Sequence, residues 1–188
     1  MIKLSEYKPP SHTIEKIDLK FELSETKTVV TAKIVGHGNN HFEDENSPLK
    51  LNGESQNLIS LELDGVALYG SDFELNDGIL KLDVPTERFE LIVTSEINPS
   101  NNKALEGLYL SEGIFCTQCE PEGFRRITFF PDRPDILTIY TTTVIANKRD
   151  YPVLLSNGNL LNTGDLGDER HFMTWHDPFP KPSYLFAL

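Results

Sequence analysis

Ile17-Asp18-Leu19-Lys20-Phe21-Glu22-Leu23 and, beyond a turn at 24–27, Val30-Thr31-Ala32-Lys33-Ile34 alternate apolar and polar side chains without a break. Successive side chains of an extended strand point to opposite faces, so each segment offers an apolar row to a core and a polar row to water. The same alternation returns at Ile59–Leu63, Leu80–Val84 and Phe89–Val93. Asp64-Gly65, Asn76-Asp77-Gly78 and Asn157-Gly158 fall between such segments and supply the positive φ of tight hairpins. Ile136–Ala146, rich in threonine and β-branched residues, predicts a long central strand. Tyr151–Leu155, Leu160–Thr163, His171–Trp175 and Tyr184–Leu188 continue the strand series, with Pro178, Pro180 and Pro182 closing the one before last. Helical periodicity is confined to single turns at Glu122–Ile127 and Arg133–Leu137. The predicted class is all-β, an antiparallel sandwich or a saddle-like assembly of sheets.

With 188 residues, 38% hydrophobic and 24% charged, the chain is sized for one β domain over 1–188 with a real core. The formal net charge of −12 repels phosphate backbones and anionic membranes, which argues against nucleic acid and membrane partners and leaves cationic ligands such as a peptide's free ammonium terminus. No apolar run reaches signal-peptide length, and the two cysteines, Cys116 and Cys119, are too few for a disulfide scaffold. A cytoplasmic protein is expected. The apolar Ser183-Tyr-Leu-Phe-Ala-Leu188 reads as a strand that stops without a polar tail, the pattern of a piece taken from a longer protein.

The candidate chemistry is sparse. His37 and His41 lie in a segment, Gly36–Pro48, that reads as an exposed loop, and His171 and His176 should point to opposite faces of one strand. Neither pair has the spacing of a helical zinc motif. Cys116-Thr-Gln-Cys119 has the spacing of half a zinc knuckle or of a redox pair, but no second pair and no parallel strand leading into a helix accompany it. The reading that fits is two reduced thiols flanking a turn whose useful atoms belong to Gln118 and Glu120. No Gly-x-Ser-x-Gly elbow and no glycine-rich phosphate loop is present.

Gly107–Asp135 is dense in acids, amides, aromatics and arginines, and here the sequence resembles the N-terminal domain of the M1 family of zinc aminopeptidases. Gly107-Leu-Tyr109, Cys116-Thr-Gln-Cys-Glu120, Glu122-Gly-Phe-Arg125, Asp132-Arg-Pro-Asp135, Leu154-Leu-Ser-Asn-Gly-Asn159 and Asp177-Pro-Phe-Pro-Lys-Pro182 with Tyr184-Leu-Phe-Ala-Leu188 carry the resemblance. It implies a saddle-like β domain that packs on a catalytic domain, which would hold the zinc, and that binds no metal and performs no catalysis by itself. It also implies substrate-binding roles for Glu120, which would hold the peptide's α-ammonium group, and Gln118, which would line the pocket for the first side chain. The expected partners are a peptide substrate and the enzyme's own catalytic domain. Glu120-Pro121 is expected to be cis. Arg125, Asp132, Arg133 and Asp135 should form an ion network that pins the loop. The competing reading is a stand-alone sandwich module for a peptide or carbohydrate, which would need an exposed aromatic platform; Trp175 is the one tryptophan available for it.

Overall fold

In a computed structural model, residues 4–42 and 47–188 are described. Thirteen strands follow one another among the described residues: β1 (His12–Glu22), β2 (Thr28–Gly38), β3 (Leu49–Asn52), β4 (Asn57–Leu63), β5 (Val66–Leu68), β6 (Glu74–Asn76), β7 (Ile79–Leu82), β8 (Phe89–Ile97), β9 (Gly107–Ser111), β10 (Ile114–Gln118), β11 (Thr138–Asn147), β12 (Asn159–Gly167) and β13 (Arg170–Lys181). An eight-stranded sheet has the order β12-β13-β11-β1-β2-β8-β4-β5, and β3-β7-β6 and β9-β10 form two small sheets.

Alternation in sequence becomes alternation in burial. Ile17, Leu19 and Phe21 of β1, Val30, Ala32 and Ile34 of β2, Leu91 and Val93 of β8, and Tyr140, Val144 and Ala146 of β11 are all buried on one face of the large sheet. Leu49, Leu51, Leu80 and Leu82 of the three-stranded sheet join the same core, as do Phe124, Ile127, Phe129, Phe130 and Ile136 of the long connection between β10 and β11. Phe186 inserts from the C-terminal segment, its ring centroid 5.3 Å from Phe124, 5.8 Å from Tyr140 and 6.1 Å from Phe21. Asp64-Gly65 and Asp77-Gly78 have positive φ at both residues, as tight hairpins require.

The all-β class stands, with one pairing that hairpins alone do not produce: β1 and β11 are parallel, while every other pair is antiparallel. Four local expectations are corrected. Tyr151–Leu155 is not a strand. Pro152 has no N–H to give a ladder, and the Tyr151 and Leu154 carbonyls instead accept from the side chains of His171 (2.8 Å) and Trp175 (3.0 Å). Tyr184–Leu188 is a single 3-10 turn at Ser183–Leu185 followed by irregular chain. Pro178 and Pro180 do not end β13, which runs on to Lys181. Its pairing with β12 stops at His176, so the prolines occupy an edge where a missing donor costs little. Finally, Gly36–Gly38 belong to β2, with Gly36 buried, so the proposed 36–48 loop is shorter than read; its residues 43–46 lie outside the described residues.

Candidate functional site: the Glu120 loop

β9 and β10 pair as a hairpin, and the chain leaves β10 at Gln118 into a tight loop, where Cys119 is buried while Gln118, Glu120, Pro121 and Glu122 are exposed. The Glu120-Pro121 bond is cis, as expected. The loop closes when the Gly123 N–H donates to the Cys119 carbonyl at 2.8 Å. Gly123 must be glycine here: a Cβ would stand 2.3 Å from the Gln118 carbonyl oxygen and 3.0 Å from the Gly107 nitrogen. Gln118 Nε2 donates to the Glu120 carbonyl at 3.2 Å, so the two residues singled out in the sequence are adjacent and braced on each other.

Beneath the loop, Asp132 is a buried hub. Its Oδ2 accepts from the backbone N–H and from Nε of Arg125, both at 3.1 Å, and its Oδ1 accepts from the Ser183 hydroxyl. Arg125 also reaches Glu122 at 3.2 Å, and its carbonyl accepts from Glu54 N–H and Gln56 Nε2, both at 2.8 Å. Arg133 pairs with Asp135, holding that carboxyl below its ordinary range. The four residues read as an ion network are therefore two separate pairs, the first of them extended to Ser183 and Glu122. Arg126, which the sequence did not single out, joins Glu54 and Glu106.

Electrostatics separates the two loop carboxylates. Glu122 is opposed by the Arg125 guanidinium, whereas no group among the described residues donates to the Glu120 carboxylate. Glu120, Pro121, Glu122, Pro134 and Tyr184 line an open groove of about 370 Å³. Pro134 and Tyr184 were not legible as site residues, because a fold held by Ser183–Asp132 brings them there from far along the chain. Gln118, two residues before Glu120, is not among the residues that line this groove. A free carboxylate above apolar walls suits one small cation with an apolar body.

The other candidates take structural places. Burial, and then the charge of Asp132, push the Cys119 thiol up to about 12, so it is an inert core group, while Cys116 is half-exposed on β10. His171 bonds Tyr151, His176 Nδ1 lies 3.1 Å from Thr141 Oγ1, and His37 Nδ1 bonds its neighbour's carbonyl. Among the described residues, no three His, Cys, Asp or Glu side chains gather as metal ligands, and no helix is long and apolar enough to cross a membrane. Trp175 is half-buried and spends its N–H on Leu154, so it offers no open platform.

Comparison with known proteins follows the same line. Residues 11–185 match the family model of the peptidase M1 N-terminal domain. Aminopeptidase N of Escherichia coli (strain K12) is 47% identical over 185 residues, 97% of this chain and 20% of that protein. Aminopeptidase N of Caulobacter vibrioides is 46% identical over 187 residues, 100% of this chain and 21% of that protein. Among solved structures, Legionella pneumophila aminopeptidase A in complex with aspartic acid superposes with a TM-score of 0.93 at 38% identity, covering 99% of this chain and 22% of that one. An M1 zinc metallopeptidase from Deinococcus radiodurans, at 14% identity, shares the fold alone, with a TM-score of 0.79 over 95% of this chain and 41% of its own. The chain spans about a fifth of the length of the curated relatives it matches.

Proposed function

The chain belongs to the M1 peptidase family, as its N-terminal domain, and on that premise we propose that it holds the free α-ammonium group of a peptide for a zinc aminopeptidase. The observation that carries this reading is the Glu120 carboxylate, exposed and without a partner among the described residues, on a loop that is otherwise tied down, next to a second carboxylate already paired with Arg125. An exopeptidase must measure one residue from the N-terminus. A carboxylate at a fixed place does so by charge-assisted hydrogen bonds to the ammonium. Gln118, exposed and braced on the Glu120 carbonyl, would line the pocket for the first side chain. The net charge of −12 favours approach of the cationic end.

Among the described residues no three His, Cys, Asp or Glu side chains gather to hold a zinc ion, and in this reading the metal and the hydrolytic groups would sit in the remaining length that the relatives carry. The enzyme's own catalytic domain is the partner, and the exposed Val153, Leu155 and Leu185, the last tied by its carbonyl to Asn157, offer it apolar surface. The two free cysteines suit a cytoplasmic location. The test is hydrolysis by the full-length protein of an alanyl amide with a free amine, beside its N-acetylated form. Cleavage of the first and not the second is expected; equal cleavage of both would rule out a carboxylate that measures from the ammonium.

A further inference from the structure

The segment that follows β13 is held in an unusual way. Leu185–Leu188 has no strand partner: the Leu185 and Phe186 N–H groups close the 3-10 turn on the Pro182 and Ser183 carbonyls, and the rest of its bonded backbone is held by side chains from two distant parts of the chain. Asn157 grips both sides of one peptide stretch, its Nδ2 donating to the Leu185 carbonyl at 3.2 Å and its Oδ1 accepting from Ala187 N–H at 2.7 Å. The Ser156 hydroxyl donates to the Ala187 carbonyl at 2.8 Å. The Thr117 hydroxyl accepts from Leu188 N–H at 2.8 Å and lies 3.2 Å from the Leu188 carbonyl. Thr117 is the residue before Gln118 on β10, three positions before Glu120 of the cis bond. Phe186 fixes the same segment in the aromatic core, and Ser183 fixes its start on Asp132.

Side-chain to backbone bonds of this kind specify a path where a ladder does not. Five such contacts, from three side chains to Leu185, Ala187 and Leu188, leave Leu185–Leu188 one course, and that course ends against the strand that leads into the candidate site. We propose that Thr117 and Asn157 are positioning residues: they lock the departing chain to β10 and thereby set the distance between the Glu120 carboxylate and the domain that follows. The inference rests on the ammonium-anchoring reading, in which the chain continues into the remaining length of the enzyme. Thr117 and Asn157 touch no substrate in it; they act through the placement of Glu120.

The test is steady-state kinetics of the full-length protein on an alanyl chromogenic amide. Removing the Thr117 hydroxyl by the isosteric Thr117→Val should raise KM about fivefold with kcat held, because an ammonium contact already present in the bound substrate is weakened. Asn157→Ala should act in the same direction. Thr117→Ser keeps the hydroxyl and should restore the parent KM. Partial unfolding would instead lower the active fraction, hence kcat, and leave KM in place. In a Glu120→Gln background, Thr117→Val should add nothing, since the group it positions is gone. If Glu120→Gln raises KM while Thr117→Val does not, or if the two effects simply add, the inference is overturned and the anchoring reading stands. If Glu120→Gln leaves both constants unchanged, the anchoring reading fails and the inference falls with it.

Discussion

Replacing Asp132 by alanine should cost this domain far more than any other single carboxylate on its ion pairs. The Asp132 side chain is 1% exposed and serves three donors: the Arg125 backbone N–H, Arg125 Nε and the Ser183 hydroxyl. In Asp132→Ala, Arg125 keeps Glu122 at 3.2 Å and the carbonyl of residue 132 at 3.2 Å, so its guanidinium is not stranded. The Arg125 N–H and the Ser183 hydroxyl, which is buried, lose their acceptor. Leaving a buried donor unpaired costs about 1–3 kcal/mol, and breaking a buried charge pair about 3–5 kcal/mol. The two figures overlap in what they count, so the expected loss is about 3–4 kcal/mol. In a domain of this length that lowers Tm by about 10 °C. The assay is urea unfolding followed by Trp175 fluorescence, with the slope in denaturant compared between variants to verify that the transition is the same one. Asp135→Ala is the control: its pair with Arg133 is 25% and 40% exposed, and an exposed pair contributes about 0–1 kcal/mol. A loss below about 1 kcal/mol for Asp132→Ala, no larger than the control, would refute the claim that this hub holds the loop.

Two further outcomes follow from buried titratable groups. Burial, and then the nearby charge of His37, lower the pKa of His12, which also faces Phe89 and the Ser11 hydroxyl. The unfolded chain therefore binds a proton near pH 6.5 that the fold resists, and urea midpoints should fall as pH drops from 7.5 to 5.5 and fall less in His12→Asn; an equal fall in both would remove His12 as the cause. The cysteines should separate by reactivity. At pH 8 an aromatic disulfide reagent should titrate one thiol, Cys116, in the native protein and two in urea, because the Cys119 thiol is buried and pushed up to about 12; two fast thiols in the native state would contradict this placement.

Where side-chain alternation was strong, the fold was legible in the sequence. Ile17–Leu23, Val30–Ile34, Phe89–Val93 and Ile136–Ala146 lie in or overlap central strands of the large sheet, because a half-buried strand must alternate. What alternation cannot encode is pairing, and so the parallel neighbourhood of β1 and β11, more than a hundred residues apart, was not visible. Tyr151–Leu155 and Tyr184–Leu188 look like strands by composition, yet several of their backbone groups are taken up by local turns and by the side chains of His171, Trp175, Asn157, Ser156 and Thr117, a solution without periodicity. At the candidate site, Glu120 and Gln118 were found through the Cys-Thr-Gln-Cys-Glu motif, and the structure places them side by side. Tyr184 and Pro134 complete the groove only because Ser183 and the 124–136 segment meet at Asp132, a meeting that depends on the tertiary fold.

The central claim is that Glu120 holds a substrate's ammonium group, and the specificity constant of the full-length protein carrying Glu120→Ala measures it most directly. Loss of a charge-assisted hydrogen bond of about 1.5–3 kcal/mol predicts a fall of roughly 10- to 150-fold on an alanyl substrate, with the fold and the metal content of the enzyme unchanged. An unchanged specificity constant in a folded, metal-loaded variant would contradict it.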